Sequence, residues 1–223
     1  MTRTAPSSAN PMAAPFRKRT YTLPQLSREV VQVARRGPDA GRAWRPERID
    51  PLLREQVMFA VAMVNDCKFC AYVHNGAAIA AGADRDALAE LVGLDPATTT
   101  DDRLIAVVWG QSRAAAALGP ADARLEHELR QHYTPQQVRD LDTIVRVMTV
   151  MNVSGNTAEA LIRRLRGQAV PGSRVLDEAI IGGGYIIGAA HMAAFLAVRR
   201  RVSPLRVLRE VLAFDGAAGA RAS

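Results

Sequence analysis

The stretch Asn65-Asp66-Cys67-Lys68-Phe69-Cys70-Ala71-Tyr72-Val73-His74 holds both cysteines of a 223-residue chain. On a helix, Cys67 and Cys70 are i and i+3, and His74 follows Cys70 by four positions, so all three share one face. Thiols one turn apart can close a disulfide with little backbone movement. The unpaired N–H groups and the dipole at a helix start favour a thiolate. An imidazole one turn further on can take or return a proton near neutral pH. Glu55 is the last charged residue before the apolar run Val57–Val64, where a solitary carboxylate needs a partner. If helices on either side of Asn65-Asp66 fold back on each other, residue 55 lies opposite roughly residue 75, and Glu55 meets His74. A relay Glu55–His74–Cys70 then becomes available. The residues alone do not choose the attacking sulfur: the helix start favours Cys67, and the imidazole favours Cys70.

The elements that must position these groups are all helical. A first helix is predicted over Leu23–Arg36, stopped by Gly37-Pro38, with 39–49 as linker. Asp50-Pro51 opens a helix as N-cap and first-turn proline, and its run VMFAVAMV is apolar on every side and must be buried. A second helix runs from Cys67 to about Ala81. Further helices are predicted over Asp84–Val92, from Thr100/Asp101 to about Leu118, and over Ala121–His132. Then come Thr134-Pro135 to about Val153, Asn156–Gly167, Ser173–Val198 and Pro204–Phe214. Period-2 alternation is absent, so the fold class is all-α with no sheet.

Composition excludes a disulfide framework, a collagen-like chain and a wholly disordered one: 48% of residues are hydrophobic and only two are cysteine. The formal charge of +7 is unevenly placed. Residues 1–48 hold ten basic and three acidic residues, and 199–223 hold six and two, which leaves the middle slightly acidic. The body therefore carries no basic stripe, and nucleic acid is not expected as a partner. Residues 1–20, rich in Pro, Ala and Ser, lack the apolar core of a secretory signal and read as a disordered leader.

Glu55, eleven intervening residues, then Cys67-x-x-Cys70-x-x-x-His74 resembles the signature of the alkylhydroperoxidase D-like group of the carboxymuconolactone decarboxylase superfamily. The segment LREQVMFAVAMVNDCKFCAYVH is similar to the family's central helix pair. TPQQVRDLDTIVRVMTVMNVSGNTAEAL resembles its distal helices, where an Asn-containing turn joins two helices. The resemblance covers residues 45–166, with an N-terminal helix and linker over 21–44 and a C-terminal helical extension over 167–223. It implies thiol peroxidase chemistry in which Cys70 attacks the peroxide, Cys67 resolves, and His74 with Glu55 shuttles the proton. It also implies a homo-oligomer, no bound cofactor and recycling by an external thiol donor protein. A cytoplasmic setting suits a reversible vicinal disulfide. Phe69 stands where some members carry a second histidine, so one proton donor of those members has no counterpart here.

Rival readings attach to the same residues. Cys67, Cys70, His74 and Glu55 have the right chemistry for zinc, although structural sites draw their ligand pairs from separate segments. A redox-responsive interaction protein, or a disulfide reductase without peroxidase turnover, would use the same thiol pair. Lactone decarboxylation is a third activity within the superfamily. His127 and His132 read as solvated, His191 as a core or interface histidine, Trp109 and Tyr72 as packing, and Lys68 as solvated. Ala179–Val198 is charge-free and followed by Arg199-Arg200-Arg201. It is long enough for a bilayer, but its many Gly and Ala residues favour a buried or subunit-interface helix over membrane association.

Overall fold

A computed structural model describes residues 15–94 and 101–214. Ten helices and no strand occur among the described residues. They are α1 (Leu23–Ala34), α2 (Pro38–Arg42), α3 (Pro51–Val64), α4 (Lys68–Ala80) and α5 (Arg85–Glu90). After a 3₁₀ turn at Leu91–Gly93 come α6 (Asp102–Ala115), α7 (Ala123–His132) and α8 (Pro135–Leu165). The chain ends in α9 (Val175–Arg200) and α10 (Pro204–Ala213).

Helix α3 is the centre of the core. Val57, Phe59, Ala60, Val61 and Ala62 have no exposed surface, because α4, α6 and α8 cover it on all sides. Each large side chain buried in this way contributes about 1.5–3 kcal/mol. Asp50 accepts from the Leu53 N–H at 2.9 Å and Pro51 occupies the first turn, so the start is fixed by the residues that predicted it.

The turn to α4 is tighter than a loop. Asp66 takes a left-handed φ of 54°, and the Asp66 and Cys67 N–H groups bond back to the Met63 and Ala62 carbonyls at 3.1 and 3.0 Å. This is a Schellman closure of α3, and an aspartate tolerates the required conformation. Cys67 is thus the last residue tied to α3 and at once the N-cap of α4, rather than a residue within α4's first turn.

Three expectations change. The two helices expected to meet at a turn near Val153–Asn156 are one helix, α8, of 31 residues. The polar and glycine residues that suggested a break serve tertiary contacts instead. Asn156 donates to the Asn65 carbonyl at 2.8 Å, Thr157 caps back onto the Val153 carbonyl at 2.8 Å, and Gly155 lies directly under another helix. Within the expected linker, residues 38–42 form α2. Residues 15–20 are not a free leader. Lys18 binds the Asp66 carbonyl and Glu159, Arg19 binds the Ala114 carbonyl at 2.7 Å, and the Arg163 guanidinium lies over the Phe16 ring. Residues 1–14, and Pro96 and Thr100 among the predicted helix signals, lie outside the described residues.

Helix α9 crosses α8 through a π-helical segment, Glu178–Gly182. A Cβ on Gly182 would stand 2.9 Å from the Ala158 Cα, so only glycine permits this approach. Glu178, with no exposed surface, is held by Arg164 at 2.5 and 2.9 Å. Beyond this crossing the helix is open: Ile187, Phe195 and Val198 are 62%, 53% and 78% exposed. Among the described residues α9 alone is long and apolar enough to cross a membrane by length and composition, and 11% of its apolar window is buried within the chain. It is therefore not a core helix of the single chain.

Candidate functional site

The α3–α4 hairpin brings Glu55 and His74 together. Nδ1 of His74 lies 2.8 Å from Oε2 of Glu55, and Arg54 Nε stands 3.2 Å from the other carboxylate oxygen. Arg54 is itself fixed by the Trp44 carbonyl at 2.6 Å. Burial pushes the Glu55 carboxyl upward, but the hydrogen bond and charge of His74, with Arg54, outweigh it and hold the group below its ordinary value. The carboxylate therefore stays ionised and orients the imidazole.

Both cysteines are free thiols, buried on the helix-start side of α4 at 5% and 6% exposure. Their partner is Tyr185 of α9, whose hydroxyl lies 3.1 Å from Cys70 Sγ and 3.5 Å from Cys67 Sγ. The two thiols do not titrate alike. The hydrogen bond from Cys70 lowers Cys67 despite its burial, with help from the Tyr185 hydroxyl and the Lys18 ammonium. Its bond to Cys67, then burial, push Cys70 well above its usual value. Cys67 is therefore the more readily ionised sulfur of the two, and it stands at the N-cap position of α4. Burial and the neighbouring thiols push Tyr185 far upward, so its hydroxyl keeps its proton.

The expected relay is thus two pairs. Among the described residues His74 bonds to Glu55 and to neither sulfur. No three His, Cys, Asp or Glu side chains there converge closely enough to hold a metal, so Cys67, Cys70, His74 and Glu55 form no zinc tetrad. A cleft of about 740 Å³ lies against α1 and another of about 810 Å³ among α6, α7 and α8, and neither is lined by these four residues.

Other residues singled out in the sequence fall elsewhere. Lys68, His127 and His132 are exposed. Trp109 is buried and donates to Glu126 at 2.7 Å. Tyr72 donates to Glu210 at 2.6 Å and meets the Phe214 ring edge-on, pinning α10 to α4. His191 is exposed and bonds to the Ile187 carbonyl of its own helix at 2.7 Å, so it is no core histidine of the single chain. Tyr185 was not singled out. Its one sequence signal is a phenol inside an apolar, glycine-rich run, where a hydroxyl must find a buried partner.

The fold is all-helical among the described residues and carries a free dithiol where α4 begins. Residues 39–123 match the model of the carboxymuconolactone decarboxylase family, whose superfamily includes the alkylhydroperoxidase D-like members. The family includes decarboxylases and peroxidases. Comparison with curated proteins and with solved structures returns no match.

Proposed function

We propose that the protein is a thiol-dependent peroxidase that reduces peroxides through Cys67 and Cys70, with Glu55 and His74 managing protons. The observation that carries this reading is the pair of buried free thiols, Cys67 and Cys70, on the same helix as an imidazole that Glu55 holds at 2.8 Å. Attack at Cys70, the role that the resemblance implies, begins when its proton passes to Cys67. The Cys70 thiolate then displaces alkoxide from the peroxide, forming a sulfenic acid. The alkoxide takes a proton delivered from His74, the proton that Cys67 gave up when it ionised. Cys67 next forms the S–S bond, and its proton leaves with the sulfenic hydroxyl as water. The sum is a dithiol and a peroxide converted to a disulfide, an alcohol and water. An external thiol donor protein returns the disulfide to the dithiol, which suits a reducing cytoplasm.

The exposed apolar residues of α9 and α10 fit a second copy of this chain, in line with the homo-oligomers of the resembling group. The test of function is single-turnover mixing of the reduced protein with hydrogen peroxide and an organic hydroperoxide, read as a mass loss of two hydrogens. Thiol loss no faster than in a Cys70→Ser variant removes the peroxidase reading. The redox-responsive alternative then remains, in which the disulfide alters an interface without turnover.

A further inference from the structure

The Tyr185 hydroxyl has the two sulfurs as its only hydrogen-bond partners among the described residues. It reaches them from α9, well outside the matched segment 39–123. Three features hold it there. Gly155 of α8 leaves a space that a Cβ would fill, at 2.9 Å from Tyr185 Cζ and 3.0 Å from Cys67 Sγ. Gly182, three residues before the tyrosine, sets the close crossing of α8 and α9. Phe69, between the cysteines, packs edge-on against the Tyr185 ring with centroids 6.4 Å apart. A phenol seated against two sulfurs, where a phenylalanine would fill the same space, has a hydrogen bond to give.

We propose that Tyr185 is a catalytic hydrogen-bond donor to the thiol pair, holding the negative charge on whichever of Cys67 and Cys70 carries it. The inference rests on the pair acting as the reactive centre proposed above. The hydroxyl's distances to the two sulfurs differ by less than half an ångström, so it can follow the charge from Cys67 to Cys70 without moving the ring. A bond from a protonated phenol to a thiolate is charge-assisted and lowers the titration of the acceptor. When the disulfide forms, the charge is gone and the hydroxyl loses its strong acceptor.

The test is thiolate absorbance across pH 5–11 in the reduced full-length protein, corrected with a Cys67→Ser/Cys70→Ser variant, together with the rate of alkylation by iodoacetamide. Tyr185→Phe keeps the ring and removes the donor. It is expected to raise the lower thiol titration by about one pH unit, and to slow alkylation about tenfold at pH values below that titration. An unchanged titration overturns the proposal. So does faster alkylation without a shift, which would make the ring a cover and nothing more. If the variant does not fold, global replacement of tyrosine by 3-fluorotyrosine gives the opposite sign, since a more acidic phenol donates more strongly. The lower titration should then fall, and a titration that stays put again overturns the role. Neither readout uses a peroxide, so a protein that titrates as expected but consumes no peroxide loses the peroxidase reading and keeps this one.

Discussion

Gly155 and Tyr185 stand so close that a methyl group on the glycine would come within 2.9 Å of the tyrosine ring and 3.0 Å of the Cys67 sulfur. Two helices and a thiol therefore meet at one missing side chain. Alanine is the better helix former by about 1 kcal/mol, but forcing a methylene into a packed contact costs about 1–3 kcal/mol. Gly155→Ala should lower the urea-unfolding free energy by about 1 kcal/mol and push the phenol off the sulfurs. The lower thiol titration should rise as it does in Tyr185→Phe. A variant with parental stability and titration would show that the contact has slack.

Cys67 should be the first sulfur alkylated. Its bond to Cys70 lowers it despite burial, whereas Cys70 is raised by that same bond and by burial. Limiting iodoacetamide at neutral pH, followed by peptide mass mapping, should place most of the label on Cys67. A label mainly on Cys70 would put the resting charge on the other sulfur.

The Glu55–His74 pair should matter for rate. Glu55→Gln keeps an amide oxygen that can accept from the imidazole but removes the negative charge that faces it at 2.8 Å. Single-turnover oxidation by an organic hydroperoxide should slow by about 100-fold, the lower range for loss of a positioned proton carrier. A parental rate would leave the pair a structural role only.

Acid should unfold the protein through its paired carboxylates. Glu55, Asp142 and Glu178 all lie below their ordinary values despite burial, held there by His74 and Arg54, by Arg113 and Arg36, and by Arg164. The unfolded chain binds protons at these positions first as pH falls, so their stabilisation is complete above about pH 5 and is lost progressively below about pH 4. Urea midpoints at pH 7, 5, 4 and 3 should be nearly level between 7 and 5 and then drop. A flat profile down to pH 3 contradicts the pairing.

The open face of α9 offers a test of assembly. Ile187→Asp with Phe195→Asp adds charge where both side chains are more than half exposed. The double variant should elute from size exclusion at the mass of one chain and keep the thiol titration of the parent. An unchanged elution volume would place any interface elsewhere.

What the sequence made legible was local. The Asp50-Pro51 start, the apolar run after Glu55 and the Asn65-Asp66 pivot are each read within one turn of chain, and they position the hairpin. The break expected in α8 shows where such reading stops. Gly155 and Asn156 have turn chemistry, yet the missing side chain of one and the amide of the other answer to distant elements of the fold. Tertiary contact outweighed propensity there. Tyr185 escaped for a related reason, because its partners lie 115 and 118 positions away and no periodicity reports them.

Tyr185 lies beyond the segment that carries the cysteine motif, so the motif does not by itself determine how reactive the sulfurs are. On the role proposed for Tyr185, two proteins with the same Glu-Cys-Cys-His spacing would differ in thiol reactivity according to what their tails lay across the dithiol. Sorting such chains by the motif would pool the two kinds. Sorting them by whether a glycine-bracketed tyrosine follows the long helix would separate them.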